Sequence, residues 1–268
     1  MDIRDLSEQF FGVNEQTMAE AILLSANSRG YILGAVVELE LRNSLLDQGL
    51  HVQRIKEKWV GEKVHHGDFY VSKNGNDWYV FESKGLKSNS EKWAKVWDIP
   101  PGKGEVLRWI ERKRGAAWKE LVASLSDSEA QALAEVDSPG QVRVLQTHFV
   151  SGTAGRSGRS LATPRKDEFN VVSIDTFIKL GKHRFLFAAS DQLEPSSSDS
   201  NHLKQNYLVG LALPEQGMVI GPLKPWVSDP SSLLDSLGDP VDADLMQVDN
   251  RAPGQRADGV DFIWEETD

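Results

Sequence analysis

The chain of 268 residues is 40% hydrophobic and 26% charged, enough for a real core in one large domain or two small ones. The net charge is −10 and there is no cysteine, which excludes disulfides, cysteine-ligated zinc and a cysteine nucleophile. Because the N-terminus is acidic at once and no apolar run approaches the roughly 18 residues of a membrane helix, we expect no secretory signal, no membrane association and a cytoplasmic location.

The negative charge is concentrated at the C-terminal end. Residues 229–268 hold 11 acidic residues against two arginines, whereas the other 228 residues hold 29 acidic and 28 basic residues. Residues 51–119 hold 15 Lys or Arg against nine acidic residues. A basic centre of this kind suits a phosphate backbone, and a solvated surface of mixed charge explains the same counts.

The first elements in chain order are helical. Residues 1–30 are predicted as a helical segment, with a break at residues 27–30 before a clearer helix over residues 31–48. Apolar residues of the second helix recur about every four positions, which indicates one buried stripe. They are Leu33, Val37, Leu41, Leu45 and Leu46. Gly49 follows at the place of a C-terminal cap.

A β-hairpin is predicted next. A strand over residues 51–59 precedes two strand-like runs, residues 68–73 and 78–84. The segment from Asn74 to Asp77 between these runs reads Asn-Gly-Asn-Asp, which is a strong turn signal.

Helices and strands then continue to residue 213. One predicted helix starts at Glu91, and a second covers residues 105–125. A third, short helix ends at about residue 135, and Ser126 or Asp127 caps its N-terminus. The predicted strands cover residues 142–150, 169–178, 183–189 and 207–213, and a Gly-, Ser- and Arg-rich loop covers residues 151–160. After Pro230, a segment rich in Asp, Pro and Gly predicts a loosely ordered tail, in which residues 260–264 could dock as a strand.

This order of elements predicts an α/β fold with a central mixed sheet flanked by helices. We divide the chain into four parts. They are an N-terminal helical segment (1–30), a core (31–150), a β-rich extension that completes the domain (151–228) and an acidic, partly disordered tail (229–268).

Three charged residues of the hairpin form a candidate active site. Glu82 and Lys84 stand two residues apart in one strand, so their side chains leave on the same face, and the hairpin brings Asp68 close to Glu82. The two carboxylates suit Mg²⁺, which prefers hard oxygen ligands beside substrate phosphate. Lys84 would polarise the attacking water and offset charge on the phosphorane. The alternative is a Glu–Lys ion pair or solvent exposure at a strand end, which a lone Glu-x-Lys pattern favours.

The spacing of these residues resembles a known motif. Gly67-Asp68, thirteen intervening residues and then Glu82-Ser83-Lys84 are similar to the motif of the PD-(D/E)XK nucleases, with Gly67 in place of the nominal proline. The resemblance covers about residues 31–98. It implies a restriction-endonuclease-like core, with Asp68 and Glu82 as metal ligands and Lys84 as a catalytic residue.

The predicted helix upstream adds to the resemblance. Residues 34–49 look like the first helix of archaeal Holliday-junction resolvases and related restriction enzymes, in which a helix glutamate adds a metal ligand. Glu38 holds the matching place, eleven residues before Gly49, and is therefore a fourth site residue. Glu40 is the rival. It lies about 200° away around the helix, so only one of the two can face the site.

The resemblance implies hydrolysis of DNA phosphodiester bonds with Mg²⁺, for which Mn²⁺ can substitute. A Type II-like restriction endonuclease is the first choice, as a homodimer, because two sites readily cut both strands. A repair or defence nuclease that acts with partner proteins is the alternative. A non-catalytic nucleic-acid-binding protein of the same fold is the rival from another class, and the acidic tail could recruit a protein partner.

Other residues are weaker candidates. The basic residues predicted to contact DNA are Lys87, Arg156, Arg159, Arg165 and Lys166, and a solvated surface is the alternative interpretation. His65 and His66 could contact phosphate or metal, or simply belong to the loop that enters the strand. The tryptophans at near-helical spacing are predicted to be core residues. They are Trp93, Trp97, Trp109 and Trp118.

Overall fold

The computed structural model describes residues 11–56, 65–86, 104–113, 115–136, 141–149 and 163–250, together with Arg4, Ser7 and Glu8. The described α-helices are α1 (Glu15–Leu24), α2 (Ala26–Asp47), α3 (Glu105–Lys113), α4 (Gly115–Ser124), α5 (Asp127–Ala134), α6 (Phe177–Leu180) and α7 (Pro230–Asp235). The described strands are β1 (His51–Arg54), β2 (Phe69–Ser72), β3 (Tyr79–Gly85), β4 (Arg143–Gln146), β5 (Val171–Asp175), β6 (Phe185–Ala189), β7 (Leu208–Leu213) and β8 (Met218–Ile220). Short 3-10 helices cover Ser190–Gln192 and Pro214–Gln216.

The strands form two sheets. The first has the order β1-β2-β3-β5-β6, in which β3 and β5 are parallel and every other neighbouring pair is antiparallel. The second has the order β4-β7-β8 and is antiparallel throughout. The predicted hairpin is confirmed, because β2 pairs with β3 from Phe69 opposite Phe81 to Val71 opposite Tyr79. The prediction of a mixed sheet flanked by helices is confirmed as well.

The elements lie in four layers. Helices α2 and α7 cover one face of the first sheet, where Leu41 and Leu233 pack with Phe69 and Phe81. The second sheet covers the other face, where Leu145 packs in one cluster with Tyr70, Val80 and Val172. The far side of the second sheet packs on α3, α4 and α5 through a third apolar cluster.

Helix α2 begins earlier than the sequence predicted. The predicted break at residues 27–30 is wrong, because the helix already starts at Ala26, where the Ser25 side chain accepts a hydrogen bond from the Ser28 amide. Gly30 is therefore taken into the helix. At the other end Gly49 adopts φ +78°, and its amide bonds to the Leu46 carbonyl, so the predicted C-terminal cap is confirmed.

The segment predicted as one helix over residues 105–125 is two helices. Gly115 has φ +72°, a left-handed conformation that an α-helix interior does not allow, so α3 and α4 are separate. The short helix that follows is confirmed as α5. Ser126 caps it, and Glu129 completes a capping box with the Ser126 amide.

The C-terminal strands are shorter than predicted, and one was missed. The strand expected over residues 169–178 is β5 alone, since the chain turns into α6 at Phe177. Strand β8, which is three residues long, was not predicted because so short a segment has no visible alternation. Strands β5 and β6 of the predicted extension belong to the same sheet as the hairpin.

Residues 230–250 pack on the first sheet. Helix α7 buries Leu233 and Leu234 beside α2, and isolated bridges join Val241 to Trp78 and Val248 to Ile55. The predicted loose tail is therefore wrong for this part. Apolar residues spaced among the aspartates reach the core, although the composition of the segment is polar.

Several predicted segments lie outside the described residues. They are the helix from Glu91, the whole loop over residues 151–160 and the stretch over residues 260–264. Among the described helices, none combines the length and apolar character needed to cross a membrane.

The packing of α7 predicts that shortening the buried side chain of Leu233 destabilises the protein. Leu233→Ala should lower the free energy of unfolding by about 2–5 kcal/mol, because Leu233 is only 5% exposed and its removal leaves a cavity. Urea denaturation measures the change. Leu245→Ala is the matched control, since Leu245 is 70% exposed and its loss should change the free energy by less than about 0.5 kcal/mol. Equal effects of the two variants would contradict the packing of α7 on the sheet.

Candidate active site

Asp68 is held at the open end of the hairpin. Strand β2 begins only at Phe69, so no carbonyl of that strand lies opposite the Ser83 amide, and the Asp68 carboxylate accepts its hydrogen bond instead at 2.7 Å. The Asp68 backbone is fixed on both sides. Its amide donates to the Phe81 carbonyl, and its carbonyl accepts from the Ile55 amide, each at 2.8 Å. The carboxylate thus lies against the backbone of β3 next to Glu82.

Gly67, at the place of the motif's nominal proline, packs directly against β3. A Cβ atom at this position would lie 2.8 Å from the Phe81 carbonyl oxygen and would also clash with a Val80 methyl group. The close approach of this backbone segment therefore requires glycine, and it sets the distance between Asp68 and the strand.

Glu82 and Lys84 leave β3 on the face that carries Val80, two residues before Glu82. Their side chains form a direct ion pair, and they are 14% and 23% exposed respectively. A carboxylate and an ammonium group buried this far lose most of their hydration, so the pairing offsets a cost of several kcal/mol for each. The fold thus brings Asp68, Glu82 and Lys84 together at one end of the sheet, as the hairpin led us to expect.

Burial and neighbouring charge perturb both groups. Desolvation first, and then the negative charge of Asp68, raise the pKa of Glu82 to about 8, although Lys84 acts in the opposite direction. Burial alone would lower the pKa of Lys84, but the charges of Glu82, Asp68 and Glu38 outweigh it, so the pKa of Lys84 is raised. Lys84 is therefore protonated at neutral pH, and the pKa of Glu82 stays raised despite its ion pair with Lys84.

Glu38 belongs to α2 and lines one pocket together with Lys84. Its carboxylate accepts a hydrogen bond from Arg54 at 2.9 Å. Arg54 also lies 3.6 Å from the buried carboxylate of Asp249. Glu38 is still close enough to Lys84 to raise its pKa. Glu40, the rival, is exposed on α2.

The described residues contain no group of three or more His, Asp or Glu side chains arranged to hold a metal ion. Glu38 does not join Asp68 and Glu82 in such a group, and its role as a third ligand stays a prediction. Mg²⁺ uses only one or two protein carboxylates and keeps water in its other positions, so the pair of Asp68 and Glu82 fits its needs.

The remaining predicted residues are distributed as follows. Lys87, Arg156 and Arg159 lie outside the described residues, as do Trp93 and Trp97. Arg165 is paired with Asp167, and the Lys166 ammonium group donates to the Asp191 carbonyl at 3.1 Å, so both have partners within the protein. Trp118 is a core residue, as predicted, and Trp109 packs against the same cluster.

The two histidines before Asp68 have structural partners. His65 Nδ1 lies 2.8 Å from the buried Tyr70 hydroxyl, and the His66 amide donates to the Glu168 carbonyl. Burial lowers the pKa of His65, so it is neutral at physiological pH.

Sequence reasoning missed residues that tertiary contacts bring to the site. Glu168 is near enough to raise the pKa of Glu82, and Arg54 holds Glu38. Asp175 lies at the end of β5, opposite Gly85 of β3, and bonds to His183. No motif signals these residues, because they come from separate parts of the chain and only the sheet order assembles them.

Comparisons with protein-family models, curated proteins and solved structures find no match to this chain.

The close packing of Gly67 predicts that a methyl group at this position destabilises the fold. Gly67→Ala should lower the free energy of unfolding by about 1–3 kcal/mol, because the backbone of β3 cannot move away from the new Cβ. Gly238→Ala is the control, since a Cβ at that position meets open space. A Gly67→Ala protein as stable as the control in urea would contradict the close approach.

The electrostatic coupling of the two carboxylates is testable without any metal. Asp68→Asn should lower the pKa of Glu82 toward its usual value of 4.5, since a negative charge that opposes ionisation is removed. Titration of the Glu82 carboxyl carbon by ¹³C NMR in a chelating buffer measures it. Asp77→Asn, in the exposed hairpin turn, should leave the pKa unchanged, and the same result for Asp68→Asn would show that the two carboxylates are not coupled.

Proposed function

We propose that the protein is a metal-dependent endonuclease that hydrolyses DNA phosphodiester bonds, with Mg²⁺, or Mn²⁺ in its place, held by Asp68 and Glu82. One observation carries the proposal: two partly buried carboxylates lie together beside a charged lysine at the open end of the hairpin. A site without a ligand has little reason to place like charges together, because their repulsion and desolvation both oppose folding.

The donor set suits this ion. Asp68 offers an oriented carboxylate, since the Ser83 amide fixes one of its oxygens. Burial and the charge of Asp68 raise the pKa of Glu82, so a divalent cation beside both carboxylates would favour its ionised form. Bound Mg²⁺ would supply Lewis acidity to the phosphodiester and to a coordinated water.

Lys84 contributes a positive charge to the site and does not act as a base. Because its pKa is raised, the side chain keeps its proton at neutral pH and presents an ammonium group at the site. That group can attract the substrate phosphate and stabilise the negative charge that develops as the phosphodiester is attacked. Glu82, its ion-pair partner, sets its position.

The fold supports a nuclease, and the need to cut two strands favours one type of nuclease. The mixed sheet with α2 on one face agrees with the central sheet and first helix that the PD-(D/E)XK resemblance implies. Within that class we favour a Type II-like restriction endonuclease that acts as a homodimer, since two copies present two sites to the two strands.

A plasmid assay tests the proposal. With Mg²⁺ the wild-type protein should cut supercoiled DNA, and Glu82→Ala and Lys84→Ala should each lower the rate by a factor on the order of 100 or more, since each removes a group from the charged centre. A chelator should abolish cleavage. Discrete fragments would favour a restriction enzyme, and a smear would favour a repair or defence nuclease.

A second Glu–Lys pair supplies the matched control. Glu194 and Lys204 form an exposed ion pair outside the candidate site, so Glu194→Ala and Lys204→Ala should cut at the wild-type rate. Absence of cleavage by the wild-type protein on every DNA form would refute the proposed endonuclease activity. Equal cleavage by all variants would trace the activity to another site or to a contaminant.

A further inference from the structure

The turn between β5 and β6 is basic, and it begins next to the candidate active site. Residues 176–184 contain Lys179, Lys182 and Arg184 and no acidic residue, and Lys182 and Arg184 are exposed. Strand β5 runs parallel to β3 with Lys84 opposite Ile174, so this turn begins two residues beyond the level of Lys84. A nucleotide held at Lys84 would therefore lie close to the first residues of the turn, whereas Lys182 and Arg184 at its far end line a different pocket.

An aromatic pair lies on the same turn. Phe177 stacks face to face on the His183 ring, with the ring centroids 4.5 Å apart and the planes 9° from parallel. The buried carboxylate of Asp175 holds both members. One oxygen accepts from the Phe177 amide at 3.2 Å, and the other lies 2.9 Å from His183 Nδ1. Phe177 is nevertheless 38% exposed, so a large apolar ring is kept rigidly at the surface.

The turn has little freedom to move. Leu180 is buried in the core between the sheets, and Gly181, at φ +72°, donates its amide to the Phe177 carbonyl. The Thr176 amide bonds to the Arg184 carbonyl at 2.9 Å and closes the turn. A platform that is already ordered loses little entropy when a ligand stacks on it.

Phe177 also lines a pocket that includes Lys84. The pocket has a volume of about 220 Å³, and its apolar wall comes from Leu33 and Gly34 of α2 together with Phe177 and Ile178. Ser83 lines it too, and its hydroxyl is buried without a hydrogen-bond partner among the described residues. An orphaned hydroxyl beside an apolar wall leaves a polar contact for an occupant.

We propose that this pocket receives one unpaired base of a DNA strand, which stacks on Phe177 while Lys84 holds a neighbouring phosphate. The inference rests on the proposed nuclease function and specifies its substrate as DNA with an unpaired or extruded nucleotide at the site. The volume lies below the roughly 300–1,000 Å³ of pockets for drug-sized ligands, which suits a single base. An apolar wall beside an ammonium group matches a nucleotide, whose base is flat and whose phosphate is an anion.

Binding in a chelating buffer tests the pocket separately from catalysis. A labelled single-stranded oligonucleotide and a duplex of the same sequence are titrated with the protein, and fluorescence anisotropy reports the affinity. Phe177→Ala should weaken single-strand binding by about 5-fold to about 150-fold, the range for loss of one stacked base. It should change duplex binding much less, because paired bases do not reach the ring. Phe177→Trp should retain single-strand binding.

Two controls sharpen the result. Phe11→Ala removes another exposed phenylalanine and should leave both affinities unchanged. Lys84→Ala should weaken binding to both DNA forms and flatten the salt dependence, by about 0.7 in slope for each phosphate of a single strand that the protein no longer neutralises. Circular dichroism of each variant checks that the fold is retained.

Wild-type affinity in Phe177→Ala, or an equal loss on duplex and single strand, would overturn the base pocket. Failure of the proposed nuclease function would give a different result. If the protein binds strands through Phe177 but never cuts DNA, the proposed function is wrong and the pocket stands. If it cuts DNA while Phe177→Ala binds normally, only the pocket is wrong.

Discussion

Strands β3 and β5 pair in parallel from Phe81 to Gly85 and from Val171 to Asp175, and the two strands are separated by about ninety residues of chain. This pairing joins the hairpin to β6 and completes the five-stranded sheet. It also brings the end of β5 beside Glu82 and Lys84. Without it the hairpin would hold Asp68 and the Glu–Lys pair on an unsupported edge, and the turn that carries Phe177 would lie elsewhere. The candidate site and the candidate base pocket both depend on this one ladder.

The charges at the site explain why burial is tolerated there. Asp68 has a backbone donor, Glu82 has Lys84, and Glu38 has Arg54, so each carboxylate has at least one favourable partner. The balance is still incomplete, since the pKa of Glu82 remains raised. A protein that stabilised the fold alone would gain by replacing Glu82 with an apolar residue. The proposed cation and substrate phosphate would each stabilise this group of two carboxylates and a lysine.

Residues 247–249 cover part of the β1 edge of the first sheet. The Asp249 amide bonds to the Arg54 carbonyl at 2.7 Å and the Lys56 amide bonds to the Gln247 carbonyl at 2.8 Å, so β1 is partly covered at its end. The same segment brings the Asp249 carboxylate to Arg54, which already holds Glu38. The acidic C-terminal part of the chain is thus bonded to a residue next to the site, which its composition alone did not reveal.

The sequence by itself determined the local features. The Asn-Gly-containing turn predicted the hairpin, and the two-residue spacing placed Glu82 and Lys84 on one face. The apolar spacing predicted the buried face of α2 except for Leu46, which is exposed. These local predictions succeed because turn chemistry and side-chain periodicity depend on residues that are close in sequence. Only the tertiary structure decided that Glu38 pairs with Arg54, that residues 230–250 pack on the sheet, and that Asp175 and Phe177 lie beside Lys84. Those contacts join segments far apart in the chain, and their energy comes from strand order and core packing, which no local pattern encodes.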